Sequence, residues 1–126
     1  MKQGILLFAH GARDPRWALP FEAVAARVRA RAPEVEVVLS FLEFMTPGLV
    51  DAGNALARSG CDKVSVVPLF LGSGGHVRKD LPALLSTLAA SHPQVSWSLG
   101  QTIGEVDSVI DAMAHAALQA SDTQRP

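Results

Sequence analysis

Short apolar runs alternate along this chain with segments that carry apolar residues at helical spacing. Residues 5–9 form a continuous apolar run that ends at His10-Gly11, a pattern typical of a strand covered on both faces. Similar β-rich segments occupy residues 36–42, 63–67 and 95–99, and a helical pattern follows each strand. The alternation predicts an α/β fold: a single-domain, open, mostly parallel four-stranded sheet with helices on both faces.

Proline and glycine indicate where several elements begin and end. Pro33 stops the first helical pattern, and Thr46-Pro47 predicts an N-cap and first position for the second helix, which Gly60 would end. Pro68 cannot donate a ladder hydrogen bond and predicts the end of the third strand. We expect one domain over residues 1–120 and a disordered tail over 121–126.

Composition excludes several classes of function. The 126 residues are 48% hydrophobic, which suits one compact domain, and the net charge of -1 without a basic stripe argues against nucleic acid as a partner. The single Cys61 excludes an internal disulfide and a thiolate cage, so a metal would need N and O ligands. The apolar run before His10 is too short for a signal peptide or a membrane span, which predicts a cytoplasmic protein without membrane contact.

Three polar side chains are expected at one edge of the sheet. Ligands bind outside the carboxyl ends of parallel strands, where the strand order reverses, and the common order 2-1-3-4 makes strands one and three neighbours. His10 follows strand one, His76 lies in the loop after strand three, and Glu43 follows strand two. Adjacent strands are only about 4.8 Å apart, so these residues should converge.

Two imidazoles and a carboxylate suit a divalent ion such as cobalt, iron, nickel or zinc. The set also leaves coordination positions open, as a site that must surrender its metal requires. Each of these three residues could have an ordinary structural role instead of binding metal. For Glu43, a solvated charge at a strand end would be the commoner role. His92, expected in the last turn of the third helix, and His115, expected within the fourth, are interpreted as surface or hydrogen-bonded residues.

The glycine-rich segment Gly72-Ser73-Gly74-Gly75 lies just before His76. It could be a flexible turn, but with His76 beside it we expect Gly74 and Gly75 to let the backbone approach a ligand. The segment lacks the Lys-Ser/Thr ending of a P-loop and the spacing of a dinucleotide-binding loop. Ala9 stands where histidine phosphatases have Arg before the His, and Ser73 lacks the G-x-S-x-G elbow of serine hydrolases.

Three spaced motifs resemble the signatures of class II tetrapyrrole chelatases of the CbiX/SirB type. The motifs are His10-Gly11-Ala12-Arg13-Asp14-Pro15, Leu42-Glu43 followed by Thr46-Pro47, and Pro68-Leu69-Phe70-Leu71 through Gly75-His76 to Asp80-Leu81-Pro82. They occur in the order of that family, and the alternation of elements agrees up to about residue 120. Ala12 stands where the family often has Ser, which affects a hydrogen bond near the site.

The resemblance implies a lyase that inserts cobalt, or iron or nickel, into sirohydrochlorin during cobalamin or sirohaem biosynthesis. The metal would be substrate, with no permanently bound cofactor, and the chain would act as a homodimer because long members of the family carry two such domains. His10, His76 and Glu43 would hold the metal and accept pyrrole protons, since imidazole titrates near neutral pH. The cations beside the histidines would bind the substrate's carboxylates: Arg13, Arg16, Arg78 and Lys79.

Two other classes of protein would use the same residues differently. A cobalt or nickel carrier would bind metal through the same His pair and release it to a partner without acting on a tetrapyrrole. A catalytically silent α/β domain used for assembly would neither bind metal nor accelerate its insertion.

Overall fold

The computed structural model describes residues 1–72 and 74–123, with the side chains of residues 76–78 and 123 outside that description. The strands are β1 Gln3–Ala9, β2 Glu36–Phe41, β3 Lys63–Pro68 and β4 Ser96–Leu99. The α-helices are α1 Leu19–Arg31, α2 Leu49–Arg58, α3 Gly75–Ser91 and α4 Asp107–Thr123. Short 3₁₀ helices, Pro15–Ala18 and Ile103–Glu105, precede α1 and α4.

The four strands form one parallel sheet in the order β2-β1-β3-β4, so the predicted order 2-1-3-4 is confirmed. Leu7 at the middle of β1 pairs with Leu39 on one side and Val67 on the other. The second half of β1, residues 6–9, is at most 3% exposed, as expected for a strand covered on both faces. Because β1 and β3 are parallel neighbours, the loops that follow them leave the same edge of the sheet.

Hydrophobic residues form a separate core on each face of the sheet. On one face, α2 and α3 cover a cluster that contains Leu6, Phe8 and Leu56. On the other face, α1 covers a cluster that contains Leu7 and Ala25. Right-handed crossovers explain this division, because the connection from β1 to β2 runs in the opposite direction across the sheet from the two that follow.

The predicted start of the second helix was wrong. Thr46-Pro47 does not form its cap and first position, because α2 begins at Leu49 with an extended Gly48 as its N-cap. The Phe41 N–H donates a hydrogen bond of 2.9 Å to the Pro47 carbonyl, and Phe41 also pairs with Gly48. These contacts hold residues 47 and 48 against the end of β2, so the chain can turn into a helix only after them. Gly60, at φ +97°, follows the end of α2 as predicted.

The third and fourth helices are longer than the segments in which apolar residues recur at helical spacing. The expected loop position of His76 was wrong, because α3 begins at Gly75 and places the His76 backbone in its first turn. Gly74 is extended at ψ 159° and turns the chain directly into this helix. The boundary expected at residue 120 falls inside α4, which includes residues 121–123, and residues 124–126 lie outside the described part. Among the described residues, none of the helices has the length and apolar character needed to span a membrane.

Candidate metal centre

The segment after β2 runs beside the end of β1 and brings Glu43 next to His10. The Leu42 N–H donates to the Ala9 carbonyl at 2.9 Å, and the Glu43 N–H donates to the His10 carbonyl at 3.1 Å. Gly11 adopts a φ of +96°, and an added Cβ there would collide with the Glu43 carbonyl oxygen. The two backbones therefore approach so closely that only glycine fits after His10.

His10 Nε2 lies 3.3 Å from Glu43 Oε1, and the two side chains are 52% and 49% exposed. Two ligand atoms about 2.1 Å from one metal, at angles of roughly 90–110°, are about 2.9–3.4 Å apart. The observed separation therefore suits two ligands of the same ion. Half-exposure also leaves both atoms open to a metal that arrives from solvent.

Phe70, two residues beyond the end of the neighbouring strand β3, supports the imidazole. Its ring, which is 7% exposed, meets the His10 ring edge to face, with centroids 6.0 Å apart and an interplanar angle of 74°. Phe70 in turn packs against Phe8 of β1 at 5.6 Å. The aromatic contact fixes one side of the imidazole and leaves its Nε2 directed at Glu43.

Arg13 and Phe44 form a second pair beside the candidate ligands His10 and Glu43. The Arg13 guanidinium carbon lies 4.9 Å from the centre of the Phe44 ring, a cation–π distance. Phe44 is 58% exposed and has a φ of 65°, which is rare for a bulky residue. A strained backbone therefore presents an exposed aromatic face next to Glu43.

Arg16 is positioned differently from Arg13. Its guanidinium lies 3.3 Å from Asp14, whose side chain also accepts a hydrogen bond of 3.0 Å from the Arg16 backbone N–H. Both hydrogen bonds from Arg16 lower the pKa of Asp14, and the bond from the backbone N–H has the larger effect. The positive charge of Arg16 is thus partly balanced by its neighbour.

The start of α3 carries the other predicted site residues. Gly74 and Gly75 are exposed, and an added Cβ at either would meet nothing within 4 Å, so packing inside the chain does not explain these glycines. Lys79 is also exposed. The backbones of His76 and Arg78 lie in the first turn or so of α3, but their side chains, together with all of Ser73, lie outside the described residues.

The remaining histidines have the structural roles expected of them. His92 directly follows the end of α3, and its Nε2 lies 2.8 Å from Oδ1 of Asn54 in α2. His115 is exposed on α4. Among the residues whose side chains are described, no group of three His, Cys, Asp or Glu could hold a metal. His10 and Glu43 thus lie close enough to bind one ion together. Their role as ligands, and the convergence of His76 on them, stay predictions.

Two aromatic residues near the ligands had no role in the sequence interpretation. Phe44 directly follows Glu43 at a strand end, but its unusual φ depends on the loop that joins β2 to α2. Phe70 occurs in the third motif, yet its contact with His10 depends on the pairing of β1 with β3. Only their proximity in sequence to the proposed ligands could have pointed to them.

This chain is similar to known proteins along most of its length. The CbiX family model matches residues 4–120. A sirohydrochlorin ferrochelatase of Bacillus subtilis is 30% identical over 91% of this chain and 44% of its own length. A sirohydrochlorin cobaltochelatase of Saccharolobus solfataricus is 39% identical over 65% of this chain and 62% of its own. A solved structure from Marinobacter aquaeolei VT8, assigned to vitamin B12 biosynthesis as a CbiX protein, is 30% identical, with a TM-score of 0.85 over 98% of both chains.

The matches extend over nearly the whole described fold. The chain spans 44% to 65% of the length of the first four curated relatives that it matches. The solved structure shares its architecture from end to end. By sequence and by structure, this chain belongs to the CbiX family.

Proposed function

We propose that this protein is a sirohydrochlorin chelatase that inserts a divalent metal, cobalt in the first place, into the tetrapyrrole. The observation that carries the proposal is the His10–Glu43 pair, 3.3 Å apart and half-exposed beyond the carboxyl ends of β1 and β2. The strand order reverses beside β1, and ligands of parallel sheets bind at such a point. Relatives named cobaltochelatase and ferrochelatase support cobalt or iron as the metal. Imidazole and carboxylate ligands suit both ions, and nickel as well.

The metal would be held loosely enough to leave. His10 Nε2 and Glu43 Oε1 would occupy two positions of its coordination shell, and His76 would supply a third from the first turn of α3. The other positions would stay open to water and then to the ring nitrogens. The metal here is a substrate, and the absence of any permanent cofactor stays a prediction.

Insertion must also remove protons. The divalent ion replaces two pyrrole N–H protons. One metal ion and one free tetrapyrrole therefore give one metallated tetrapyrrole and two protons. As the ring nitrogens displace His10 and Glu43 from the metal, the imidazole and the carboxylate become free to accept those protons. The same two groups would therefore act first as ligands and then as bases.

The substrate's ring and carboxylates would contact the residues around the ligands. The exposed face of Phe44 would pack against the macrocycle, and Arg13 above it would pair with a peripheral carboxylate. Arg16, Arg78 and Lys79 are the other cations proposed for this role. Gly74 and Gly75, whose surroundings are open, would let the α3 backbone approach the ring.

A second copy of the chain would complete the enclosure. The ligand pair lies on an open surface, and the chain spans only about half the length of several relatives. A homodimer would supply the other wall of a cleft around the macrocycle. The cytoplasmic location expected from the sequence stays a prediction.

Anaerobic chelation assays with cobalt, iron and nickel in parallel test the proposal. Sirohydrochlorin absorbance should change faster with the wild-type protein than with metal alone, and His10→Ala should lower kcat/KM about 100-fold or more. His115→Ala is the matched control, because this exposed histidine lies on α4, and it should retain full activity. Full activity and unchanged metal affinity in both His10→Ala and Glu43→Ala would contradict the site assignment.

The same assay separates an enzyme from a metal carrier. A carrier would bind cobalt or nickel through His10 yet leave the rate of ring metallation at the level of the metal-only control. A silent assembly domain would show neither binding nor acceleration. Acceleration that depends on His10 supports the chelatase alone.

A further inference from the structure

The connection between β4 and α4 touches the loop that follows β3. The Gly104 N–H donates a hydrogen bond of 2.9 Å to the Phe70 carbonyl. An added Cβ on Gly104 would collide with the carbonyl oxygen and the Cα of Leu71. Because Gly104 does not have a positive φ, this close approach, rather than an unusual backbone conformation, is what requires glycine here.

The residues on either side of Gly104 hold the connection in place. Ile103 packs against the core that α1 covers. The Glu105 N–H donates to the Thr102 carbonyl at 2.9 Å and closes a tight turn around Gly104. Gly104 therefore meets the loop after β3 from a fixed position, and a side chain added there could not be accommodated by a simple shift of the connection.

Phe70 is also held from the side of β1. The Leu69 N–H donates to the Phe8 carbonyl at 2.7 Å, directly before Phe70 in the chain. The Phe8 ring, which is 1% exposed, packs edge to face on the Phe70 ring at 5.6 Å. With the Gly104 N–H on its carbonyl, Phe70 thus has fixed neighbours for both its backbone and its ring.

The orientation of the His10 imidazole depends on the Phe70 ring. The His10 side chain is half-exposed, so the protein can restrain it on one side only. On that side the two rings meet edge to face, a geometry that favours particular ring angles. Without this contact, His10 could adopt other rotamers in which Nε2 points away from Glu43.

A close backbone contact at glycine therefore lies on each side of β1. On the side of β2, Gly11 touches the Glu43 carbonyl and sets the distance to that carboxylate. On the side of β3, Gly104 touches Leu71 and holds the segment that carries Phe70. The first contact positions one candidate ligand, and the second reaches the other ligand, His10, through the Phe70 ring.

We propose that Phe70 and Gly104 are positioning residues for the metal: Gly104 holds the backbone of Phe70, and the Phe70 ring keeps His10 Nε2 directed at Glu43. The proposal rests on the proposed function, because it takes His10 as a ligand of the metal substrate. The side chains of Phe70 and Gly104 have no ligand atoms, so both residues act through His10. A ligand that is oriented before the metal arrives loses less conformational freedom on binding, which raises the affinity.

Cobalt binding by Phe70→Leu tests the role of the ring, because leucine keeps an apolar side chain but has no aromatic edge. Titration with cobalt(II), followed by its d–d absorption, should show binding about 3- to 10-fold weaker than in the wild type, the loss expected from one aromatic contact. The KM for the metal should rise by a similar factor, whereas the KM for sirohydrochlorin should stay unchanged. The matched control, Phe21→Leu, loses an aromatic contact with Trp17 in the other core and should keep wild-type affinity.

Gly104→Ala tests the backbone contact. The new methyl group must displace residues 70 and 71, so we expect cobalt binding to weaken to the same extent as in Phe70→Leu. Gly100→Ala is the matched control in the same connection, because an added Cβ there would lie 3.3 Å from the Val66 carbonyl oxygen and needs only a small adjustment. It should keep wild-type cobalt affinity, even where denaturant unfolding shows a loss of stability.

The double variant shows whether Gly104 acts through Phe70. Effects at independent sites multiply in the binding constant, whereas effects along one chain of contacts do not. Gly104→Ala with Phe70→Leu should therefore bind cobalt only as weakly as Phe70→Leu alone. An affinity loss equal to the product of the two separate losses would overturn the link between the two residues.

Phe70→Leu introduces no backbone clash, so its cobalt affinity decides the proposal whether or not Gly104→Ala folds. Wild-type cobalt affinity and metal KM in Phe70→Leu would overturn the positioning role and leave the proposed chelatase intact. A wild-type protein that neither binds cobalt nor accelerates its insertion would overturn the proposed function and, with it, the positioning role.

Discussion

Gly11 and Glu43 come from the ends of neighbouring strands and touch through their backbones, with the Glu43 carbonyl where a side chain on residue 11 would lie. Gly11 is also at φ +96°, a conformation that costs other residues energy. The contact sets the distance between the two segments that carry His10 and Glu43. A substitution at Gly11 should therefore disturb the metal centre as well as the fold.

We expect Gly11→Ala to lower chelatase activity at least 10-fold and to destabilise the protein by about 1–3 kcal/mol, because the new methyl group must push the two segments apart. Gly60→Ala is a matched control, since Gly60 has a φ of +97° but open space around it. It should lose about 1 kcal/mol from backbone strain and keep its activity. Denaturant unfolding and initial rates check both variants, and equal activity losses would contradict a specific role for Gly11.

Replacement of Phe44 by Asn should leave the protein at least as stable but weaken its binding of sirohydrochlorin. Asn adopts positive φ more readily than Phe, so Phe44→Asn should be at least as stable as the wild type. Because this change removes the exposed aromatic face, we expect the KM for sirohydrochlorin to rise several-fold. Phe44→Trp keeps that face and should retain a KM near the wild-type value. A wild-type KM in Phe44→Asn would exclude the ring from substrate binding.

Arg13 and Arg16 should differ in their contribution to substrate binding. The Arg13 guanidinium lies over Phe44, whereas the Arg16 guanidinium is paired with Asp14. We therefore expect Arg13→Ala to raise the KM for sirohydrochlorin about 10-fold, and Arg16→Ala to raise it less. Steady-state kinetics at low and high salt would check this, since charge pairing weakens with ionic strength. A larger effect at Arg16 would show that its pairing with Asp14 breaks on substrate binding.

Cys61 should react slowly in the folded protein. The thiol is 2% exposed, and burial raises its pKa, so the reactive thiolate forms only at a higher pH than in the unfolded chain. The folded state accordingly loses relative stability as pH rises past the thiol's ordinary pKa. We expect little reaction with a disulfide reagent at pH 8 and complete reaction in denaturant. Ser91→Cys adds an exposed thiol as the control, and equally fast reaction of Cys61 would contradict its burial.

Much of the architecture could be predicted because apolar periodicity is a local property of the chain. The run at residues 5–9 predicted the doubly covered strand β1, and the alternation of elements predicted a parallel sheet. The order 2-1-3-4 was expected because it is common in such sheets, and the structure confirms it. The start of α2 was predicted wrongly, because the hydrogen bond between Phe41 and Pro47 extends the end of β2 in a way that no local pattern of residues specifies. His76 was likewise expected in a loop, although α3 begins just before it.

By itself, the sequence determined that His10 and Glu43 follow the ends of two strands. It also restricted any metal site to N and O ligands, because Cys61 is the single cysteine of the chain. Tertiary structure alone decided that the side-chain atoms of His10 and Glu43 come within 3.3 Å, that Phe70 supports the imidazole, and that Ile110 and Met113 of α4 stay exposed. These features depend on strand register and on contacts between residues far apart in the chain, whereas periodicity reports only which face a residue occupies.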